Sequence, residues 1–281
     1  MIGAWIMAGV TFREAARKKV LWMALAAGLA FLCLFGCGLY FEVRDFGAHD
    51  NPIIRREGVK AFIMVGLYAV DALAIVMTVL TSIDTLSGEL ASGTIQAVAT
   101  KPISRWEVLL GKWLGFVGML TLYVVFMVGG VAIVTYAMSW HTLGGVLPHN
   151  MLRGAGLIWL ECVLMLCLTF RLGTSFSTLT NGVVALGLHG IAFIGGWIEQ
   201  TAALTHSPRA LYVGIAASLI MPSESLWRRA AFEMQSPVLN ALGFSPFSAA
   251  SVPSGFMIDY ACLYMIMALA LAVRNFYRRD L

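Results

Sequence analysis

Three ionisable side chains lie inside long apolar runs of this sequence: Asp71, Glu161 and His189. A charge at the centre of a membrane costs about 2.5–3.5 kcal/mol on insertion scales, so such groups face other protein or a water-filled route. One interpretation is a polar patch in a translocation route, or a cluster that responds to protons. The other is structural contact between packed helices, with Glu161 paired to His189 as one such arrangement.

Other patterns that carry chemistry are missing from the sequence. It contains no G-x-x-x-x-G-K-[ST] phosphate loop, no H-E-x-x-H and no G-x-S-x-G. The five cysteines fall inside apolar runs without a C-x-x-C pair, and the remaining histidines lie on separate loops without ligand spacing. We therefore predict no catalytic, cofactor-binding or metal site on this chain.

The composition indicates the elements that must position these three residues. The chain is 59% hydrophobic and 12% charged, with a mean hydropathy of +0.82, values typical of an integral membrane protein. Continuous rather than alternating apolar runs favour helices over barrel strands. We predict a single all-α membrane domain of six transmembrane helices, at residues 20–41, 61–81, 108–138, 154–170, 182–198 and 256–273.

Basic residues near the ends of these runs indicate the orientation. The cluster Arg17-Lys18-Lys19 directly precedes the first span, which usually dominates the choice of side. We expect a multi-pass protein of the inner membrane with both termini in the cytoplasm. Residues 1–19 are predicted to form an amphipathic helix at the interface. Within the outer segment 199–255, Leu211 to Met221 is too short to cross, so short re-entrant or interfacial helices are expected there.

The segment 83–107 between spans two and three is polar but patterned. As a helix from Ser87 to Thr100 it places Glu89 and Ser92 on one face, and Pro102 ends it. Ser104 to Glu107 then has the S-x-x-E form of a capping box, which predicts the start of the next helix. Such an elbow suits contact with a cytoplasmic partner, although a helix that merely lies on lipid has the same pattern.

The same segment resembles a known family. Asp84, Glu89 and Gly93-Thr94-Ile95, then Lys101 to Arg105, then Leu109 to Lys112, are similar to the loop between the second and third helices of type-2 ABC exporter permeases. In that family the loop reads E-x-x-x-G-T-L, P-[VI]-S-R and L-L-G-K. The segment Met221 to Arg228 also resembles the element after the fifth span in this group, which includes permeases that serve nitrous-oxide reductase maturation.

The resemblance implies a permease subunit that pairs with a second permease chain and two cytoplasmic ABC ATPase subunits, which bind ATP-Mg. It implies contact with membrane lipids and none with nucleic acid, and lipids, amphipathic drugs or hydrophobic peptides would suit an apolar pathway. The elbow would be the coupling helix that docks on the ATPase, through Glu89, Gly93, Thr94, Lys101, Pro102, Ser104 and Arg105. An ion- or proton-coupled secondary transporter that uses Asp71 and Glu161 is the main alternative, and a membrane-embedded enzyme is the third.

Overall fold

The computed structural model describes residues 2–46, 52–92, 104–235 and 251–278, and within these ranges the regular structure is helical. The helices are α1 (Ile2–Arg17), α2 (Lys19–Phe46), α3 (Pro52–Ser92), α4 (Arg105–Leu143), α5 (Met151–Gly173), α6 (Thr178–Leu204), α7 (Pro208–Ile220), α8 (Ser223–Met234) and α9 (Gly255–Arg278).

Six of these helices, α2 to α6 and α9, are long and apolar enough to cross a membrane. The predicted all-α membrane fold with six spans is therefore confirmed. The helices are longer than the apolar runs, because polar residues at their ends continue the helical hydrogen bonding. With 41 residues in α3 and 39 in α4, each is about 60 Å long, roughly twice the thickness of the hydrocarbon core.

Helix α5 forms the centre of the bundle. It packs against α3, α8 and α9. Of its most apolar 18-residue stretch, 67% is buried inside the protein, whereas the corresponding value for α9 is 22%. Its middle carries Cys162, Leu164 and Leu166, each fully buried, so a polar side chain on this stretch must find its partners within the protein. Glu161 lies on this stretch.

The N-terminal helix α1 packs on the first turns of α4. Gly111 and Gly115 of α4 form the contact, since an added Cβ on them would lie 2.7 Å from the Ala4 carbonyl oxygen and 2.8 Å from that of Ala8. The face of α1 that carries Ala4, Ala8 and Ala15 is buried there. The opposite face exposes Trp5 and Ile6. Its place at a membrane interface stays a prediction.

Between α6 and α9 the chain forms a bent pair of short helices. Helices α7 and α8 meet at an angle of 105°, where Pro222 follows the last turn of α7. Two glycines allow these short helices to pack closely on α6. An added Cβ on Gly214 would lie 2.5 Å from Cβ of Glu199, and one on Gly196 would lie 2.5 Å from Cγ of Glu224. We call α7 and α8 the bent pair. Whether it is re-entrant or interfacial stays a prediction.

The segment predicted to form the elbow begins differently in the structure. Helix α3 continues without a break through Ser92, so Ser87 does not start a separate helix, and residues 93–103 lie outside the described ranges. Ser104 does precede the first residue of α4. Its hydroxyl donates to Oε2 of Glu107 at 2.9 Å, and no backbone N–H donates to it. The helix therefore begins where the capping box predicts, although the Ser104 hydroxyl contacts the Glu107 carboxylate instead of capping a backbone N–H.

Candidate functional site

The structure brings together two of the three ionisable residues predicted in the spans. Asp71 of α3 and Glu161 of α5 lie close enough for each carboxyl group to act electrostatically on the other. Asp71 is 5% exposed and Glu161 is 0% exposed. Among the described residues, neither oxygen of Glu161 nor Oδ1 of Asp71 has a hydrogen-bond partner of good geometry. Buried polar atoms without a partner are uncommon and call for a physical explanation.

A third buried carboxyl group completes this arrangement, and sequence reasoning missed it. Glu224, in the first turn of α8, is 5% exposed, and its charge acts on both Asp71 and Glu161. We call Asp71, Glu161 and Glu224 the carboxyl cluster. The only sequence signal for Glu224 is its place within the Met221–Arg228 segment, because an acidic residue outside a predicted span looks solvated.

His189 joins the same region by a different contact from the one considered. Its Nδ1 lies 3.0 Å from Oγ of Ser223, the residue that precedes Glu224. The suggested pair of Glu161 with His189 is wrong, since the Glu161 oxygens have no hydrogen-bond partner among the described residues. His189 therefore holds the first residue of α8 against α6 and does not take part in the Asp71–Glu161 contact.

Aromatic rings cover one side of the carboxyl cluster. The ring of Tyr68, one turn before Asp71, lies 5.1 Å from that of Trp227 and 6.3 Å from that of Phe193, and its hydroxyl interacts with Trp197. Rings that pack this closely exclude water and hold α3, α6 and α8 together. The carboxyl cluster thus lies at a junction of spans with the bent pair.

A second polar group ties the bent pair to the end of α6. Nη2 of Arg228 donates to Oε2 of Glu199 at 2.8 Å, and both side chains are almost fully buried. Ser251 donates to the other oxygen of Glu199 at 2.6 Å, and Ser218 lies within 3.5 Å of both charged groups. We call these four residues the hairpin lock. A cavity of about 230 Å³ borders it.

A third set of polar contacts lies where α3 approaches residues 93–103. Oγ of Ser82 lies 2.8 Å from Oγ1 of Thr169 in α5, and Oγ of Ser87 lies 2.9 Å from Oγ1 of Thr178 in α6. Nδ2 of Asn181 donates to the Thr169 carbonyl oxygen at 3.0 Å and to that of Ile83 at 3.4 Å. We call Ser82, Ser87, Thr169, Thr178 and Asn181 the polar clamp. It joins the end of α3 to the connection between α5 and α6.

The residues predicted to couple to an ATPase fall mostly outside the described parts. Glu89 belongs to α3, but its side chain is not described, and Gly93, Thr94, Lys101 and Pro102 lie within the undescribed stretch 93–103. Two others are placed at the start of α4. Ser104 contacts Glu107, and Nη1 of Arg105 lies 3.4 Å from the Tyr277 carbonyl oxygen, which links α4 to the last span.

The arrangement offers polar contacts rather than bond-making chemistry. Within the ranges the structure covers, no three histidine, cysteine or acidic side chains are placed to hold a metal ion. The carboxyl cluster can take up a proton. What the polar clamp can do is transmit displacement from the end of α3 to α5 and α6.

Comparison with known proteins supplies the family. The family model described as ABC-2 family transporter protein matches residues 5–281. None of the curated proteins compared with the chain matches it. The match concerns the family as a whole, and the resemblance to permeases of nitrous-oxide reductase maturation stays a prediction.

Proposed function

The chain belongs to the ABC-2 family of transporter proteins, and on that premise we propose that it is the transmembrane subunit of an ABC exporter driven by separate ATPase chains. Two permease chains would form the pathway and two ATPase subunits would bind ATP-Mg on the cytoplasmic side. The inner membrane, with both termini in the cytoplasm, is the proposed location. The membrane permease itself follows from the family and from the six apolar helices.

The observation that best supports coupling is the polar clamp. Segment 93–103 connects the ends of α3 and α4, the two longest helices. A partner that pushes on this segment would move the end of α3, and the clamp bonds Ser82–Thr169 and Ser87–Thr178 would carry that movement to α5 and α6. The Arg105 contact with Tyr277 would carry movement of α4 to α9. Five spans would thereby respond to one cytoplasmic segment.

The second candidate is the ion- or proton-coupled secondary transporter. The observation in its favour is the meeting of Asp71 and Glu161 inside the bundle, both almost fully buried. This candidate needs no ATPase, so transport would continue without ATP. The family match favours the ABC exporter.

The test compares two glutamates at opposite ends of α3. The chain is co-expressed with a candidate ATPase chain that carries a phosphate loop, and ATP hydrolysis by the purified complex is measured for Glu89→Ala and for the matched control Glu57→Ala. We expect the Glu89 variant to lose most of the stimulated hydrolysis, because the proposed ATPase contact is gone. Glu57, which pairs with Lys60 near the other end of α3, should keep it.

Equal activity in the two variants would contradict the coupling role of Glu89. A chain that purifies alone, and transports without ATP, would favour the secondary transporter.

A further inference from the structure

The carboxyl cluster places three acidic side chains close together in the interior of the protein. Asp71, Glu161 and Glu224 come from α3, α5 and α8, and each is at least 95% buried. If all three were ionised, three negative charges would share one region that water does not reach. Burial penalises each charge, and like charges at close range penalise each other further.

The neighbouring charges offset this only in part, since Arg228 acts on Glu224 alone among the three carboxyl groups. The ionisable groups that face the cluster are Tyr68 from α3, Cys162 from α5, His189 and Glu199 from α6, and Arg228 from α8. Arg228 is the cation among them, and its Nη2 is bonded to Glu199 at 2.8 Å. His189 is bonded to Ser223. One cation already paired with a fourth carboxylate cannot neutralise three more.

The oxygens of the cluster show what is missing. Both oxygens of Glu161 and Oδ1 of Asp71 are buried without a donor among the described residues, although the two carboxyl groups lie against each other. A carboxylate accepts hydrogen bonds and donates none, whereas a carboxylic acid has one O–H to donate. A proton on either group therefore supplies the donor that the pair lacks and removes one charge.

We propose that the carboxyl cluster is a proton-binding site that joins the bent pair to α3 and α5. A carboxylate of the cluster takes a proton from hydronium and leaves water, and the resulting O–H donates to the facing carboxylate. With the proton bound, Glu224 seats α8 against the two spans. When the proton leaves, repulsion between Glu224 and the Asp71–Glu161 pair loosens the N-terminal turn of α8.

The first test is infrared spectroscopy of the purified chain in detergent. A protonated carboxylic acid has a C=O stretching band that is separate from the carboxylate bands and shifts in D₂O. We expect this band at neutral pH in the wild-type chain, and a smaller band in Asp71→Asn, Glu161→Gln or Glu224→Gln. The control Asp259→Asn, an exposed carboxyl in the first turns of α9, should leave the band unchanged. Absence of the band at neutral pH, or a band that none of the three variants reduces, would overturn the proposal.

The second test does not depend on the amide variants folding. Ala217 of α7 packs on Gly195 of α6 and is 8% exposed, so a cysteine there reports whether the bent pair is seated. Because any thiol reacts faster when more of it is ionised, labelling of Ala217→Cys is compared at each pH with that of the exposed control Arg209→Cys. We expect the ratio of the two rates, above the background of the wild-type cysteines, to rise several-fold between neutral and alkaline pH. A ratio that does not change with pH would contradict the proton-linked seating. Both tests use the isolated chain, so their outcome is independent of the proposed ATPase coupling.

Discussion

At the scale of single residues, the hairpin lock contains a deeply buried ion pair. The Arg228–Glu199 pair is 2.8 Å long, with 2% and 8% of its side chains exposed. A buried pair of this kind adds little over an apolar pair of equal size, yet removal of one partner leaves a charge with no solvent to stabilise it. The adjacent Arg229 pairs with Glu233 at 2.7 Å but is 26% exposed. These two neighbours therefore form a matched comparison.

We expect Arg228→Met to lower the free energy of unfolding by about 3–5 kcal/mol, since Glu199 would stay buried without its cation. Arg229→Met should cost at most about 1 kcal/mol, as is usual for partly exposed pairs. Denaturant titration of the purified chain in micelles measures both. Recovery of part of the loss in the double variant Arg228→Met, Glu199→Gln would support this cause, and equal losses in the two single variants would contradict it.

Whether a polar residue of the site could be predicted from the sequence depended on its position in the chain. Asp71 and Glu161 interrupt apolar runs, so hydropathy alone singles them out. Glu199, Glu224 and Arg228 lie in or beside a segment interpreted as an outer loop, where charges are ordinary. Their burial comes from the way α7 and α8 fold back on α6 and α5, and hydrophobic periodicity carries no information on such tertiary contacts.

At the scale of elements, glycines decide which helices meet closely. Gly195 and Gly196 of α6 receive the bent pair, whereas Gly187 and Gly190 have no atom within 4 Å of an added Cβ. The glycines of this span therefore divide into two groups. The spacing of small residues indicates close approach but not the partner, so the contacts of α1 on α4 and of α7 on α6 were beyond sequence reasoning.

We expect Gly115→Val to displace α1 from α4, because the added side chain would collide with the backbone at Ala8. Overpacking of this kind costs about 1–3 kcal/mol. A cysteine in place of Ala15, which is 2% exposed, should then be labelled faster. The control is Gly129→Val on the same helix, since an added Cβ at Gly129 has no atom within 4 Å. Unchanged labelling in the Gly115 variant would show that α1 is held by other contacts.

At the scale of the whole molecule, six helices are long and apolar enough to cross a membrane, or seven if the bent pair also crosses. Six crossings would place residues before α2 and after α9 on the same side. Composition and run length were sufficient to predict this count, because a bilayer imposes one length and one solvent on every span. They were not sufficient for the helix ends, since polar residues that extend α3 and α4 past the apolar runs have no hydropathy signal.

The proposed topology predicts opposite labelling of two exposed arginines. Arg209→Cys, at the start of α7, should react with a membrane-impermeant thiol reagent added to intact spheroplasts. Arg274→Cys, near the end of α9, should react only after the membrane is opened. The reverse pattern would place both termini outside and would move segment 93–103 away from the ATPases.

The docking of α1 on α4 also has a consequence for synthesis. A ribosome releases α1 before Gly111 and Gly115, which receive it, because α2 and α3 lie between them in the chain. Until α4 has been made, the helix that carries Trp5 and Ile6 has no protein partner at its buried face. Helix α1 therefore docks only after three more helices have been made, and insertion of α4 completes this end of the fold.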